Sequence, residues 1–400
     1  MDIIGVVSEY NPFHLGHAHH LRQSRALVGD DAAVVCVLSG DFVQRGEAAM
    51  YSKFARAEAA CRSGADLVIE LPLPWCAASA EGFAQGAVSL LGALGATYLS
   101  FGSETGETEP LAQLARTLLE PDITGEIKTL MANDATLPFA AARQRVLETR
   151  LGKTGALLSQ PNNILAVEYL KAIYNRGHVM APVTIKRLGA GHDTVSESSG
   201  PRSASQLREM IAQGADVSGY IPKAANRVYA REREQGRELA DKRPLEVAML
   251  SRLRLFDEAY FNALPDAAEG LGSRIYRAVR EESSLEGIYM AAKTKRYALA
   301  RIRRICLCAC LGITAGMGAD APPYARVLAA NRKGRELLRN LARTSTVPIL
   351  TKPAAVRELP DKALKIFTMG AAAHDLYVLG YGDSARPPCG EDWRTGPSIL

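Results

Sequence analysis

Cysteine pairs, long apolar runs and repeats are all scarce in this 400-residue chain. The seven cysteines contain no C-x-x-C pair, which argues against a zinc site or a disulfide framework. Cys306, Cys308 and Cys310 alternate within an apolar run, where buried thiols are expected. This cysteine usage is typical of a reducing cytoplasm, so we expect a cytoplasmic protein.

Membrane and secretion signals are also lacking. The apolar stretch between Asp2 and Glu9 is too short for a signal peptide. The longest uncharged stretch, 82–103, contains glycine, serine, threonine and glutamine, and predicts a buried helix, a turn and a strand. We therefore expect a soluble protein without membrane contact. Hydrophobic residues make up 47% of the chain, charged residues 23%, and the net charge is +5. These values fit an ordinary globular protein, and the length predicts two or three domains.

Short apolar runs alternate with helical patterns through the first half of the chain. Strands are predicted at 3–7, 33–38, 67–70 and 97–101, and helices near 16–28, 52–63 and 80–94. This alternation predicts an α/β fold with a parallel, Rossmann-like sheet covered by helices. After residue 213 the strand signal fades, and a mainly helical second domain is expected. The predicted domains are therefore 1–212 and 213–400. Open sheets of this kind bind ligands at the carboxyl ends of their strands.

The stretch EYNPFHLGHAHHL, residues 9–21, follows the first predicted strand. A helix that starts near His14 to Gly16 would direct backbone N–H groups and its positive end at one point, which favours a phosphate. His14 and His17 share a helical face, so both imidazoles could donate hydrogen bonds to phosphate oxygens. Gly16 would let a ligand approach the backbone closely. These features predict His14 and His17 as catalytic residues.

Two alternatives remain open for this stretch. Both histidines, together with Glu9, could bind zinc, although no further ligand set with suitable spacing follows. The histidines could also simply cap and decorate a surface helix. His19 and His20 fit that second interpretation better than His14 and His17 do.

The H-x-G-H pattern after a first strand resembles the signature of nucleotidyltransferases and class I aminoacyl-tRNA synthetases. Longer stretches are more specific, and they occur in a fixed order: 5–21, 38–60, 64–84, 100–104, 161–172 and 185–193. Together they resemble the tRNA(Met) cytidine acetate ligase family of bacteria. The similarity extends over most of the chain and is strongest before residue 210.

The resemblance implies a two-step reaction that uses ATP. Such a ligase forms acetyl-adenylate from acetate and ATP, then transfers the acetyl group to N4 of the wobble cytidine of elongator tRNA(Met). Mg²⁺ is expected to accompany ATP, acetyl-CoA is not needed, and no resident metal site is predicted. Residues 1–212 would form the ATP-binding catalytic domain and 213–400 a tRNA-binding domain. The alternative function is a small-molecule adenylyltransferase of the nicotinamide-mononucleotide or pantetheine-phosphate type.

The resemblance also implies ATP-binding residues. The segment after the first strand would line the ATP site: Val7, Ser8, Glu9, Tyr10, Asn11, Pro12, Phe13, His14, Leu15, Gly16, His17, Ala18, His19 and His20. Gly102 would admit adenine or ribose, Arg187 would meet phosphate, and an asparagine amide would bind ATP. Asn162 is preferred over the adjacent Asn163 for that last position.

Two further stretches contain candidate site residues. RSASQLR, residues 202–208, resembles a phosphate-binding element of nucleotidyltransferases, in which Ser203, Ser205 and Arg208 would contact the triphosphate. The alternative is an ordinary N-capped helix that starts at Ser203. Residues 40–53 depart from the family pattern at Ala48 and Ser52, where we associate the family with proline and aspartate. Within this stretch three residues are candidates for the acetate or nucleobase side: Asp41, Gln44 and Arg45.

The helical half contains two basic clusters. Between residues 287 and 318 there is no acidic residue. The predicted tRNA-binding residues lie there: Lys293, Lys295, Arg296, Arg301, Arg303 and Arg304. Wound as one helix, most of them would lie on or near one face. A second cluster is opposed only by Glu336 and comprises Arg326, Arg332, Lys333, Arg335, Arg339 and Arg343. Such surfaces bind RNA phosphates with a steep salt dependence.

Overall fold

The computed structural model describes residues 1–134, 136–187, 202–239 and 241–400. In the first half of the chain, strands and helices alternate much as predicted. The strands are β1 (Ile3–Ser8), β2 (Ala33–Ser39), β3 (Phe42–Val43), β4 (Glu47–Ala48), β5 (Leu67–Leu71), β6 (Tyr98–Ser103) and β7 (Ala181–Lys186). The helices are α1 (Leu15–Val28), α2 (Lys53–Cys61), α3 (Ala80–Ala93), α4 (Thr108–Leu118), α5 (Ile123–Asn133), α6 (Phe139–Leu151), α7 (Pro161–Arg176) and α8 (Ala204–Ala212).

Five of these strands form a parallel sheet in the order β5-β2-β1-β6-β7. This is the doubly wound, Rossmann-like arrangement expected from the sequence. The strand order reverses beside β1, so the loops that leave β1 and β6 diverge and open a crevice between them. The histidine-rich stretch follows β1, and Gly102 lies near the end of β6. The fold therefore places both at the expected ligand-binding edge.

The second half of the described chain is mainly helical, as predicted. Its helices are α9 (Lys223–Glu234), α10 (Arg243–Leu253), α11 (Glu258–Asn262), α12 (Leu271–Glu281), α13 (Leu285–Ala292), α14 (Leu299–Leu311), α15 (Arg332–Thr344), α16 (Asp361–Tyr377) and α17 (Glu391–Arg394). Three short strands were not predicted: β8 (Ala325–Ala330), β9 (Ile349–Leu350) and β10 (Ser398–Ile399).

The strand β8 extends the central sheet, because it pairs antiparallel with β5. β9 and β10 pair with β8 in turn. The chain thus returns to the central sheet after residue 213, which the sequence did not predict. β8 is as long as β1, but its sequence ARVLAA is rich in alanine, which has a low preference for strands. The predicted boundary falls directly after α8, and the division at 212/213 stays a prediction.

The apolar core confirms two other expectations. The uncharged stretch 82–103 lies in helix α3, a turn and strand β6, and most of it is buried. Cys306, Cys308 and Cys310 are buried on α14. In the part of the chain that the structure describes, no helix combines the length and apolarity needed to cross a membrane.

Candidate nucleotide-binding site

The loop that leaves β1 holds a strained conformation. Tyr10 has φ of 47°, which is unfavourable for a residue with a Cβ. Its neighbours fix this turn: the Asn11 side chain accepts a hydrogen bond from the Met50 N–H at 2.8 Å. The Phe13 N–H donates to the Tyr229 hydroxyl at 2.9 Å. Strained turns that are fixed in this way are concentrated at ligand-binding sites.

Arg56, which the sequence did not single out, holds the ends of β1 and β2 together. Its side chain is fully buried on α2. The guanidinium donates to four backbone carbonyls, those of Glu9 at 2.5 Å, Tyr51 at 2.9 Å, Ser39 at 3.1 Å, and Gly40. A buried charge is tolerated only when its donors are satisfied, and here they are used to shape the edge of the sheet. Arg56 is therefore a positioning residue for the loop.

The two motif histidines begin helix α1 by capping it. His14 is the N-cap, and its Nδ1 accepts a hydrogen bond from the Gly16 N–H at 3.0 Å. The Nδ1 of His17 accepts from the His14 N–H at 3.3 Å. A Cβ on Gly16 would lie 2.8 Å from the ring of His14, so glycine is required for the ring position. From the sequence we predict a different role for Gly16, the close approach of a ligand to the backbone, and that role stays a prediction.

These caps determine which ring nitrogen faces outward. Because both Nδ1 atoms accept hydrogen bonds, the neutral rings carry their protons on Nε2. The rings stack with centroids 3.7 Å apart, and within the described residues neither Nε2 has a hydrogen-bond partner. The capping alternative is thus correct as far as it goes, yet it leaves two N–H donors side by side.

Electrostatics keep this imidazole pair neutral in the free protein. Burial, assisted by the charge of Arg187, lowers the pKa of His14 to about 4. Burial also lowers the pKa of His17 well below its ordinary value, with further contributions from His14 and Arg187. Two neutral donors beside an arginine can accept a polyanion without first losing a bound counter-ion. A bound phosphate would raise both pKa values toward the charged form.

The remaining histidines of the motif make separate contacts. His20 Nε2 lies 3.0 Å from the Ser100 hydroxyl on β6, and burial lowers its pKa to about 4. His19 Nδ1 lies 3.2 Å from the guanidinium of Arg22. Among the described residues, no group of three or more histidine, cysteine, aspartate or glutamate side chains could hold a metal ion. The zinc alternative therefore has no support from this geometry.

The asparagine pair at the start of α7 separates into two functions. Asn163 is fully buried. Its Oδ1 accepts a hydrogen bond from the Glu104 N–H, and its Nδ2 donates one to the Leu157 carbonyl, both at 3.1 Å. Asn162 is half-buried, and its Oδ1 accepts from Arg187 at 3.2 Å. Only Asn162 therefore points toward the predicted phosphate-binding arginine. Gly102 lies beneath that arginine, since a Cβ there would meet Arg187 Cγ at 3.3 Å.

The RSASQLR element reaches the same loop through Arg208. One guanidinium nitrogen of Arg208 donates to the Asn11 carbonyl at 2.8 Å. Ser203 caps helix α8, with its hydroxyl accepting from the Gln206 N–H at 3.3 Å. The capped helix and the contact with the loop coexist, and the phosphate-binding function of these residues stays a prediction. The adjoining glycine-rich loop, 188–201, lies outside the described residues.

Comparisons with known proteins identify the family of the chain. A family model described as HIGH Nucleotidyl Transferase matches residues 1–388. The tRNA(Met) cytidine acetate ligase of Thermoanaerobacter sp. (strain X514) is 35% identical over 399 residues, covering 96% of this chain and 97% of that protein. The protein of the same name from Acetivibrio thermocellus is 34% identical over 416 residues and is covered completely. The chain belongs to the tRNA(Met) cytidine acetate ligase family.

Two crystal structures of a family member from Thermotoga maritima, TmcAL, have the same fold. The apo form superposes with a TM-score of 0.94 at 30% identity, covering 100% of both chains. The form bound with alpha-thio ATP superposes with a TM-score of 0.91 at 31% identity. The fold of this member of the family is thus the family's fold from end to end.

This acetate ligase family member also contains a buried ion cluster that the sequence did not predict. The cluster comprises Asp41, Lys53, Glu70, Arg326, His374 and Asp392, all almost fully buried, with Glu391 at its rim. Lys53 Nζ lies 2.8 Å from a carboxylate oxygen of Glu70 and 2.8 Å from one of Asp392. Asp41 was a candidate for the acetate or nucleobase side, but its carboxylate is enclosed here, 2.8 Å from His374 Nδ1.

The charges of this cluster are strongly coupled. Burial alone would lower the pKa of His374, but Asp41 and Glu391 outweigh it and raise the pKa to about 10. Burial would raise the pKa of Asp41, and the charge of His374 instead brings it down to about 2. Since β5, β8, α16 and α17 all contribute side chains, the cluster joins the C-terminal segment to the sheet. Its residues lie up to 351 positions apart (41 to 392), which is why no local pattern revealed it.

The predicted tRNA-binding segment is not one helix. Residues 293–298 form a non-helical connection between α13 and α14, so the assumed single face does not exist. Its arginines pair with acids from outside the segment: Arg296 and Arg301 with Glu269, Arg304 with Asp266, and Arg303 with Glu47 and Glu286. Lys293 and Lys295 are exposed. Much of the charge counted from the sequence is therefore offset by residues distant in the chain.

The second basic cluster loses one member. Arg326 lies in β8, is 2% exposed, and bonds Glu70 and Asp392 of the buried ion cluster. It cannot belong to a surface that binds RNA. The other five residues lie on α15, where most are exposed.

Proposed function

We propose that this protein activates acetate with ATP and transfers the acetyl group to N4 of the wobble cytidine of elongator tRNA(Met). The observation that carries the proposal is the outward-facing pair of imidazole N–H groups in a chain that matches acetate ligases over its whole length. ATP and acetate are the small substrates, and acetyl-CoA takes no part.

In the first step a carboxylate oxygen of acetate attacks the α-phosphorus of ATP, and the bond to the β-phosphate bridging oxygen breaks. His14 and His17 donate through Nε2 to phosphate oxygens, where negative charge grows in the transition state. Arg187, aligned by Asn162, supplies a permanent positive charge beside them. Arg208 and the Ser203 and Ser205 hydroxyls are proposed to bind the departing pyrophosphate.

In the second step N4 of cytidine attacks the acetyl carbon, AMP leaves, and N4 loses one proton. Mg²⁺ would enter with the triphosphate, whose charge it offsets. Because the described residues include no cluster able to hold a metal ion, the protein itself is not proposed to provide a cage for it.

The connection between α13 and α14 is proposed to contact the tRNA. Lys293 and Lys295 are exposed, so they can meet phosphates directly. Arg303 and Arg304 pack beside the β3–β4 hairpin: a Cβ on Gly46 of the hairpin would lie 2.6 Å from the backbone nitrogen of Arg304. The segment thus adjoins Arg45, an exposed residue of that hairpin.

The decisive experiment incubates the purified protein with labelled acetate, ATP, Mg²⁺ and elongator methionine tRNA. Mass spectrometry of the digested tRNA should show N4-acetylcytidine, and omission of ATP should abolish it. Lack of product with intact tRNA, combined with pyrophosphate release from nicotinamide mononucleotide or pantetheine phosphate, would favour the alternative adenylyltransferase function.

A further inference from the structure

Helix α15 exposes a row of arginines along one side. Residues spaced three, four and four apart lie close together around a helix, and four arginines follow this spacing. We call them the arginine stripe: Arg332, Arg335, Arg339 and Arg343. All four are exposed, whereas Leu337 and Leu341 on the other side of the helix are buried in the core. The stripe therefore faces away from the protein.

The charge of this stripe is largely uncompensated. Within the described residues only Arg332 has a carboxylate partner, Glu336 at 3.4 Å. Arg343 donates to the Asn340 amide oxygen at 3.3 Å, which leaves its charge in place. The arginines of 296–304, by contrast, all have acidic partners. The segment predicted to bind RNA therefore has its arginines in ion pairs, whereas the arginines of the stripe, apart from Arg332, have no carboxylate partner among the described residues.

The start of α15 is fixed at the amino ends of the parallel strands. Asn331 caps the helix and donates to the Asp66 carboxylate at 2.9 Å, just before β5. Lys333 Nζ donates to the carbonyls of Asp30 at 3.0 Å and Ala32 at 2.9 Å, just before β2. The imidazole pair follows the carboxyl end of β1. A six-residue strand separates the two edges by roughly 20 Å.

We propose that the arginine stripe binds the phosphate backbone of the methionine tRNA outside its anticodon stem-loop. The inference rests on the proposed function, because the wobble base must occupy the site at the other edge of the sheet. The stripe extends over twelve residues, about 16 Å of helix, which suits an extended row of phosphates better than one small anion. The chain thereby holds one RNA at two separated places.

The test compares Arg335→Glu/Arg339→Glu with wild type on two RNAs, full-length elongator methionine tRNA and its isolated anticodon stem-loop. The variant should bind the full-length tRNA roughly tenfold more weakly at low salt, and the slope of log K against log salt should fall by about 2. Binding and acetylation of the stem-loop should not change. A Lys128→Glu/Arg145→Glu variant reverses two exposed charges on α5 and α6 and serves as the matched control.

Equal weakening for both RNAs, or unchanged binding of the full-length tRNA, would overturn the proposal. Unchanged stem-loop turnover also shows that the variant is folded. The two hypotheses fail separately: if wild type acetylates neither RNA, the proposed function is wrong, whereas selective loss of full-length tRNA binding would still support the stripe.

Discussion

His14 and His374 are both buried, yet near neutral pH the first is uncharged and the second is positively charged. The pKa of His14 falls to about 4, because burial is reinforced by a nearby arginine. The pKa of His374 rises to about 10, because two carboxylates flank its ring. One imidazole is kept neutral so that it can donate to an incoming anion, and the other is kept charged to bind protein carboxylates. The comparison shows that partners, more than burial, decide what a histidine does.

We expect the largest change, a loss of stability, from a substitution in the buried ion cluster around His374. Lys53→Met would leave Glu70 and Asp392 with Arg326 as their cationic partner and should lower the free energy of unfolding by about 3–5 kcal/mol. Urea denaturation measures this change. Lys128→Met, on the exposed side of α5, should shift stability by no more than about 0.5 kcal/mol. Similar values for both variants would mean that the buried ion cluster is not a stabilising unit.

A substitution in the imidazole pair of His14 and His17 should change the activity of the protein more than its stability. His17→Ala removes one Nε2 donor and should slow acetyl-adenylate formation by a factor on the order of 10² to 10³, measured as acetate-dependent exchange of pyrophosphate into ATP. His178→Ala is the matched control, because His178 lies beside Gly92 near the amino edge of the sheet. If His17→Ala kept full exchange activity, the imidazole pair would not touch the reacting phosphate.

How far the sequence could predict these two sites follows from the distances along the chain. His14, Gly16 and His17 occupy four positions, so a strand, a loop and a helix start were enough to place them. The ion cluster needs β8, α16 and α17 to return to the sheet, and those long-range contacts leave no periodic signal. Arg326 looked like surface charge for the same reason. Capping by these histidines was one of the interpretations of the sequence, but the use of Nδ1 for it depends on side-chain orientation, which the sequence does not reveal.

The smallest effect is a difference in pH dependence. With 6.5 as the ordinary pKa, His374 adds stability that is complete below pH 6.5 and is lost as the pH rises toward 10. His14 works in the opposite direction, since its stability contribution is lost as the pH falls from 6.5 toward 4. His374→Gln should therefore differ most from wild type at or below pH 6.5, and His14→Gln should flatten the acid side. Chemical denaturation at each pH gives the free energy of unfolding of wild type and both variants. Parallel curves of that free energy against pH for all three proteins would contradict the opposite pH dependences expected for His14 and His374.

The stacked imidazoles of His14 and His17 are proposed to bind the triphosphate of ATP through their Nε2 atoms. A crystal structure of this protein with a non-hydrolysable ATP analogue tests it most directly. We expect both Nε2 atoms within hydrogen-bond distance, about 2.7–3.2 Å, of phosphate oxygens. A triphosphate that points away from this pair, with the nucleotide fully ordered, would contradict the account.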